Sequence, residues 1–182
     1  RGLVDASDYK QYIFPLLFFK RLSDVWDEDY QGAFEETTDE DYALATANDR
    51  FEIPEGAHWE DVRSVPQDVG RALLNAFQAI ETANSDRLQG VFGNAGWTDK
   101  AQMPDETLKN LIEQFSKHTL SLALVPEDEL GNGYEYLIKQ FADDSGHTAQ
   151  EFYTNRTLVH LMAQMLEPQV GETIYDPTCG TG

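Results

Sequence analysis

The feature that most constrains this chain is a three-and-four spacing of apolar residues that recurs along most of its length. Tyr9, Tyr12, Ile13, Leu16 and Leu17, continuing to Leu22 and Val25, fall on one face of a helix. Val69, Leu73, Ala76, Phe77 and Ile80 repeat the pattern, as do Leu108, Leu111, Ile112 and Phe115 after Pro104. Tyr134, Leu137, Ile138 and Phe141 form a further face, and Leu158, Val159, Met162, Met165 and Leu166 are expected to point inward from a helix over 155–166. A chain written this way folds mainly as packed helices.

Punctuation between these segments sets the expected breaks. Pro15 predicts a kink or a restart in the first helix, and Asp5, Ser7 or Asp8 can cap it. Residues 27–41 hold eight acidic and no basic side chains, and read as a helix end followed by a solvated loop. Phe51, Ile53 and Trp59, around Pro54 and Gly56, read as a loop or short strand with apolar anchors. Ser64 and Pro66 read as a helix start. Gly90, Gly93 and Gly96 mark a loop anchored by Val91, Phe92 and Trp97; no strand precedes them, so a phosphate-binding loop is disfavoured. Residues 142–150 are small and polar and read as a linker. Pro168 and Gly171 end the last helix.

Beyond that helix the period changes. Thr173-Ile174-Tyr175 is a β-type run leading into Asp176-Pro177-Thr178-Cys179-Gly180-Thr181-Gly182. A strand that delivers an acid to its carboxyl end, followed by glycines, is how open α/β sheets present a ligand site. The glycines alone would equally suit an ordinary strand-to-helix turn. The fold expected is therefore mainly α: a helical N-terminal domain over 1–145, then the first helix and strand of a truncated Rossmann-like domain over 146–182.

The chain has 182 residues, 41% of them hydrophobic, enough for a full domain with its own core. It opens on Arg1 and ends inside the glycine motif, which predicts residues beyond both ends. No apolar run has the length of a membrane span, and no secretory signal is visible. A single cysteine excludes an internal disulfide and favours a cytoplasmic protein. Thirteen basic against 33 acidic residues give a net charge of −20. Affinity for a nucleic-acid backbone comes largely from Lys and Arg, so this stretch by itself is a poor DNA binder. Solubility or adaptation to salt is the plainer account of the acidity; acidic faces meeting basic partner subunits is the sharper one.

The motifs also resemble a known family. Glu151-Phe152-Tyr153-Thr154-Asn155-Arg156 is similar to the Glu-Phe-Tyr-Thr-Pro-Arg signature of the modification (methyltransferase) subunits of type I restriction–modification systems. Those proteins carry Asp-Pro-Ala-Cys-Gly-Thr-Gly about twenty residues later, which Asp176 to Gly182 resemble. Tyr134 to Ile138 with Phe141-Ala142, Val4 to Tyr9 and Phe19 to Asp24 resemble further segments of the family. It is the joint order of these segments that is specific.

The resemblance implies adenine N6 methylation of DNA with S-adenosyl-L-methionine as cofactor. It implies that Glu151, Phe152, Tyr153, Thr154, Asn155 and Arg156 line the cofactor. Asp176, Pro177, Cys179, Gly180, Thr181 and Gly182 would form its loop, with Asp176 near the methionine amino group. Asn155 replaces the family's proline, so a cap stands where a fixed backbone is usual. The family's catalytic Asn-Pro-Pro-aromatic string occurs nowhere in the 182 residues, nor does the ribose-binding acid expected after the second strand. These residues therefore hold no catalytic group, are expected to be inactive alone, and are not expected to hold the cofactor tightly. The implied partners are a specificity subunit, which reads the DNA sequence, a restriction subunit, a second modification subunit, and DNA in the assembled complex; no membrane is implied. The alternatives are a non-catalytic acidic helical interaction module and a methyltransferase acting on RNA or protein.

Other residues carry plainer readings. Cys179 reads as a small side chain beside the cofactor rather than a nucleophile. His58, His118, His147 and His160 lack metal-ligand spacing. Trp26, Trp59 and Trp97 read as core or interface anchors. Tyr134 and Tyr136 read as core. Lys20 and Arg21 read as a solvated helix end in preference to a DNA contact.

Overall fold

The structure, a computed structural model, describes residues 6–145 and 156–177, with side-chain surroundings for 9–138 and 157–177. The described residues form seven α-helices and no strand. These are α1 (Ala6–Thr37), α2 (Glu40–Arg50), α3 (Trp59–Ser64), α4 (Val69–Ala83), α5 (Asp105–Phe115), α6 (Glu127–Ser145) and α7 (Arg156–Leu166). The chain divides into two compact units, Arg1–Gly131 and Asn132–Gly182, the division falling within α6.

The first unit is built around α1. Tyr12, Leu16, Phe19, Leu22 and Val25 are buried, as their spacing requires. The helix runs through a buried Pro15 without restarting. It also continues eleven residues, to Thr37, into the acidic stretch read as a helix end and a solvated loop. The acids there lie on a solvated face, while Trp26, Tyr30 and Phe34 stack at four-residue intervals, with ring centroids 5.3 Å and 6.2 Å apart. A tight turn then reverses the chain: Thr38 takes φ 55°, and the Asp39 carboxylate accepts from the amides of Asp41 and Tyr42. Small buried residues, Ala33 on α1 with Ala43 and Ala47 on α2, allow a close helical hairpin.

Aromatic rings join the other helices to α1. Phe19 meets Phe77 edge-on at 5.4 Å and Trp59 at 5.3 Å; Phe77 stacks on Phe92 at 4.2 Å, and Trp97 meets Tyr12 at 5.1 Å. Phe92 and Trp97 are therefore the loop anchors expected, but Val91 is 43% exposed, since the turn closed by Gly90 at φ 75° directs it outward. Residues 51–58 form a loop and no strand. Its backbone bonds instead to the buried Asn84, whose side chain accepts from the Glu52 amide and donates to the Glu52 carbonyl. Ser64 ends α3, and α4 begins only at Val69 after Asp68 at φ 56°. Within α4, Gly70 is required by close approach: a Cβ there would lie 1.8 Å from the Trp97 carbonyl oxygen.

The second unit contains the later part of α6 and all of α7. α6 starts at Glu127, seven residues before the expected face begins at Tyr134, and passes through Gly131 and Gly133. α7 ends at Leu166, before Pro168. Its expected inward residues, Leu158, Val159, Met162, Met165 and Leu166, are between 44% and 76% exposed, because no other described residues cover that stripe. Tyr134 and Tyr136 are also exposed. The run 173–175 is neither helix nor strand: a β-ladder needs a neighbouring strand, and the described residues supply none.

Candidate functional site

The residues expected to hold the cofactor fall largely beyond the described ones. Glu151, Phe152, Tyr153, Thr154, Asn155, Cys179, Gly180, Thr181 and Gly182 lie outside them, and Arg156 is described only as the first residue of α7. Asp176 and Pro177 are exposed at the end of the described chain.

In the first unit the structure draws together a polar constellation that sequence reasoning placed in solvent. Lys20 and Arg21 are both buried. Lys20 forms an ion pair with the buried Asp24 one turn on, and its ammonium lies 5.7 Å from the centre of the Trp59 ring. Arg21 reaches the segment after α5. Its guanidinium donates to the carbonyls of Leu120, Ser121 and Val125 at 2.5, 2.8 and 2.7 Å. Asp24 accepts from the Leu120 amide at 2.6 Å, and Glu28 accepts from the amides of Leu122 and Ala123 at 2.7 and 3.0 Å.

These side chains clamp residues 120–125 onto α1. Each of these backbone groups finds a charged partner, and such bonds are worth more than neutral ones. Desolvation raises the Glu28 carboxyl, but the amides of Ala123 and Leu122, the Ser121 hydroxyl and the Arg21 charge outweigh it, leaving the pKa below its usual value. The signal available in sequence was the four-residue spacing of Lys20, Asp24 and Glu28. It is a polar ridge running along a helix whose other buried residues, Arg21 and Ser23 apart, are apolar.

Beside the clamp lies a cavity of about 200 Å³, open on one side. Phe18, Leu22, Trp26, Phe51, Leu122 and Leu130 form its apolar walls. The Trp26 indole is held by Asn48, to which its N–H donates at 2.7 Å, and its ring meets His58 edge-on at 4.5 Å. Asp29, Arg50 and Glu127 stand at the rim, where Arg50 and Asp29 make a loose ion pair at 3.7 Å.

Among the described residues no cluster of three or more His, Cys, Asp or Glu side chains could hold a metal ion, and no helix is long and apolar enough to cross a membrane.

Comparison with known proteins adds the family. Residues 1–115 match the HsdM N-terminal domain, and residues 125–182 match the N-6 DNA Methylase family. The methylase subunit of the type I restriction enzyme HindI from Haemophilus influenzae is 31% identical over 153 residues, covering 71% of this chain and 33% of that protein. Two methylase subunits from Methanocaldococcus jannaschii align over nearly the whole chain. That of MjaVIII is 29% identical, covering 96% of this chain and 31% of its own length; that of MjaIX is 26% identical, covering 100% and 36%. The chain thus spans about a third of the length of the relatives it matches. It belongs to the modification (methylase) subunits of type I restriction–modification systems, carrying their HsdM N-terminal domain and the opening of an N-6 DNA methylase region.

Proposed function

We propose that the protein containing this chain transfers the methyl group of S-adenosyl-L-methionine to adenine N6 in DNA. It does so in the cytoplasm, within an assembly of two modification subunits, a specificity subunit and a restriction subunit. The observation that carries this reading is the order of the two family matches, helical domain then methylase, with the Glu151–Arg156 and Asp176–Gly182 motifs both inside the second match.

In this reading the methyltransferase domain proper begins near residue 146 as a Rossmann-like sheet. The run 173–175 becomes its first strand once neighbouring strands pair with it. The donor set suits the cofactor: Glu151 and Asp176 offer carboxylates to an ammonium group, and the backbone N–H groups of Gly180 to Gly182 suit a carboxylate. Phe152, Tyr153, Thr154, Asn155, Arg156, Pro177 and Cys179 complete the lining. The cofactor supplies an activated methyl group. The catalytic amide belongs to an Asn-Pro-Pro-aromatic string outside these 182 residues, which by themselves methylate nothing. The helical domain contacts partner subunits and helps the assembly close on DNA.

The test is to incubate the full-length protein and its partner subunits with methyl-labelled cofactor and DNA, then digest the DNA to nucleosides. Label in N6-methyladenine is expected. Label in cytosine, RNA or protein, or none at all, overturns the reading. Asp176→Ala is expected to weaken cofactor binding by about tenfold, as loss of a charge-assisted contact does, measured by calorimetry on the full-length protein.

A further inference from the structure

The cavity beside the clamp has a use that the methylation reading leaves open. It lies at the base of the α1–α2 hairpin, where the end of α2 meets the middle of α1: Asn48 bonds Trp26 and Arg50 faces Asp29. Its walls are fixed, with Trp26 wedged between Tyr30 and His58 and bonded to Asn48. A volume of about 200 Å³ is small for a drug-sized ligand, which takes roughly 300 Å³ or more. It is comparable to dry protein cavities that accept a single benzene ring. The fit is therefore to one bulky side chain.

Charge says what carries that side chain. Between Arg21 and Arg50 the chain holds ten acidic residues and no basic one. Asp24 and Glu28 are engaged by the clamp, but Asp27, Glu35, Glu36, Glu40, Asp41 and Asp49 remain exposed along the hairpin. On the other rim, α6 opens with Glu127, Asp128 and Glu129. A nucleic-acid backbone is repelled by such a surface, and so is a second copy of a chain with a net charge of −20.

We propose that this groove docks a basic segment of a partner protein, with one aromatic or large aliphatic side chain entering the cavity. Lys or Arg residues flanking that side chain meet the carboxylates of α1, α2 and the first turn of α6. The proposal rests on the reading above that the protein works in a multi-subunit assembly, and it names where and by what chemistry one partner is held.

The test places a photo-crosslinker in the wall, Leu130→p-benzoylphenylalanine, in the full-length protein assembled with its partner subunits. The expected product joins Leu130's position to a Lys- and Arg-rich segment of a different subunit. No crosslink, or a crosslink to DNA, to the same chain or to a second copy, overturns the proposal. A second measurement leaves the cavity intact: Glu35→Lys with Glu36→Lys is expected to weaken subunit association by about tenfold at low salt and to flatten its salt dependence. Glu106→Lys, on the exposed side of α5, is the control. Equal effects of the two changes overturn the proposal. Adenine methylation by the unaltered assembly, followed in parallel, separates the two readings. Methylation without the crosslink removes the groove and leaves the enzyme; the crosslink without methylation removes the enzyme and leaves the groove.

Discussion

The two units treat the same kind of helix in opposite ways. In the first, the apolar stripes of α1, α4 and α5 are buried around Phe19, Phe77 and Trp97, and charged side chains satisfy the backbone where the chain crosses α1. In the second, α7 has an equally regular stripe, and the described residues leave it exposed. Periodicity is thus a statement about what a helix can bury. Whether it buries anything depends on a facing surface, and α1 has one supplied from within residues 6–131.

The comparison breaks or holds by substitution. Phe19→Ala should cost the most, about 3–5 kcal/mol in chemical denaturation, because it empties the centre of an aromatic cluster. A loss under about 1 kcal/mol would mean that the first unit is not the self-sufficient core described. Arg21→Met should follow at about 3 kcal/mol, since three carbonyls lose a charged donor. Amide hydrogen exchange at residues 120–125 should rise with it, whereas exchange in α4 should rise far less.

Acid should loosen the same clamp. The Glu28 carboxyl is depressed in the folded protein, so the stability it contributes is present above its unfolded value, near 4.5, and is lost as pH falls through its lower folded value. Glu28→Gln should make the unfolding midpoint less dependent on pH in that range; an unchanged acid slope would remove Glu28 from the account. The smallest effect is expected in the second unit. Met162→Ala on α7 should change the stability of this 182-residue chain by less than about 0.5 kcal/mol. A cost like that of Phe19→Ala would show that α7 is covered after all and would dissolve the contrast.

Much of the first unit was legible in the sequence because its signals are local. Val69 to Ile80 spell out α4, Pro104 marks the start of α5, and Phe92 and Trp97 stand out as large apolar residues among small polar ones. What failed was a local spacing outweighed by composition, and a set of partners distant in sequence. Residues 27–37 read as a helix end running into a loop because acids and Gly32 outweighed the Trp26–Tyr30–Phe34 spacing, whose stacking carries the helix on to Thr37. Lys20 and Arg21 read as solvated because what buries them comes from far along the chain: Trp59 over Lys20, and the carbonyls that Arg21 reaches up to 104 residues away. The family was legible from the order of short motifs, although the residues of the expected cofactor pocket lie mostly outside the described ones.

The Arg21 clamp also bears on how the protein is made. Its contacts join residues 99 to 104 positions apart, and closing so large a loop costs chain entropy that local helices do not. During synthesis α1 emerges before residues 120–125, so the Arg21 guanidinium lacks its full set of carbonyl partners until they have been made. Until then a buried-type charge and the apolar wall beside it stay open to solvent and to other chains. α1 is translated before the segment that completes it, so its packing is finished only once residue 125 has been made.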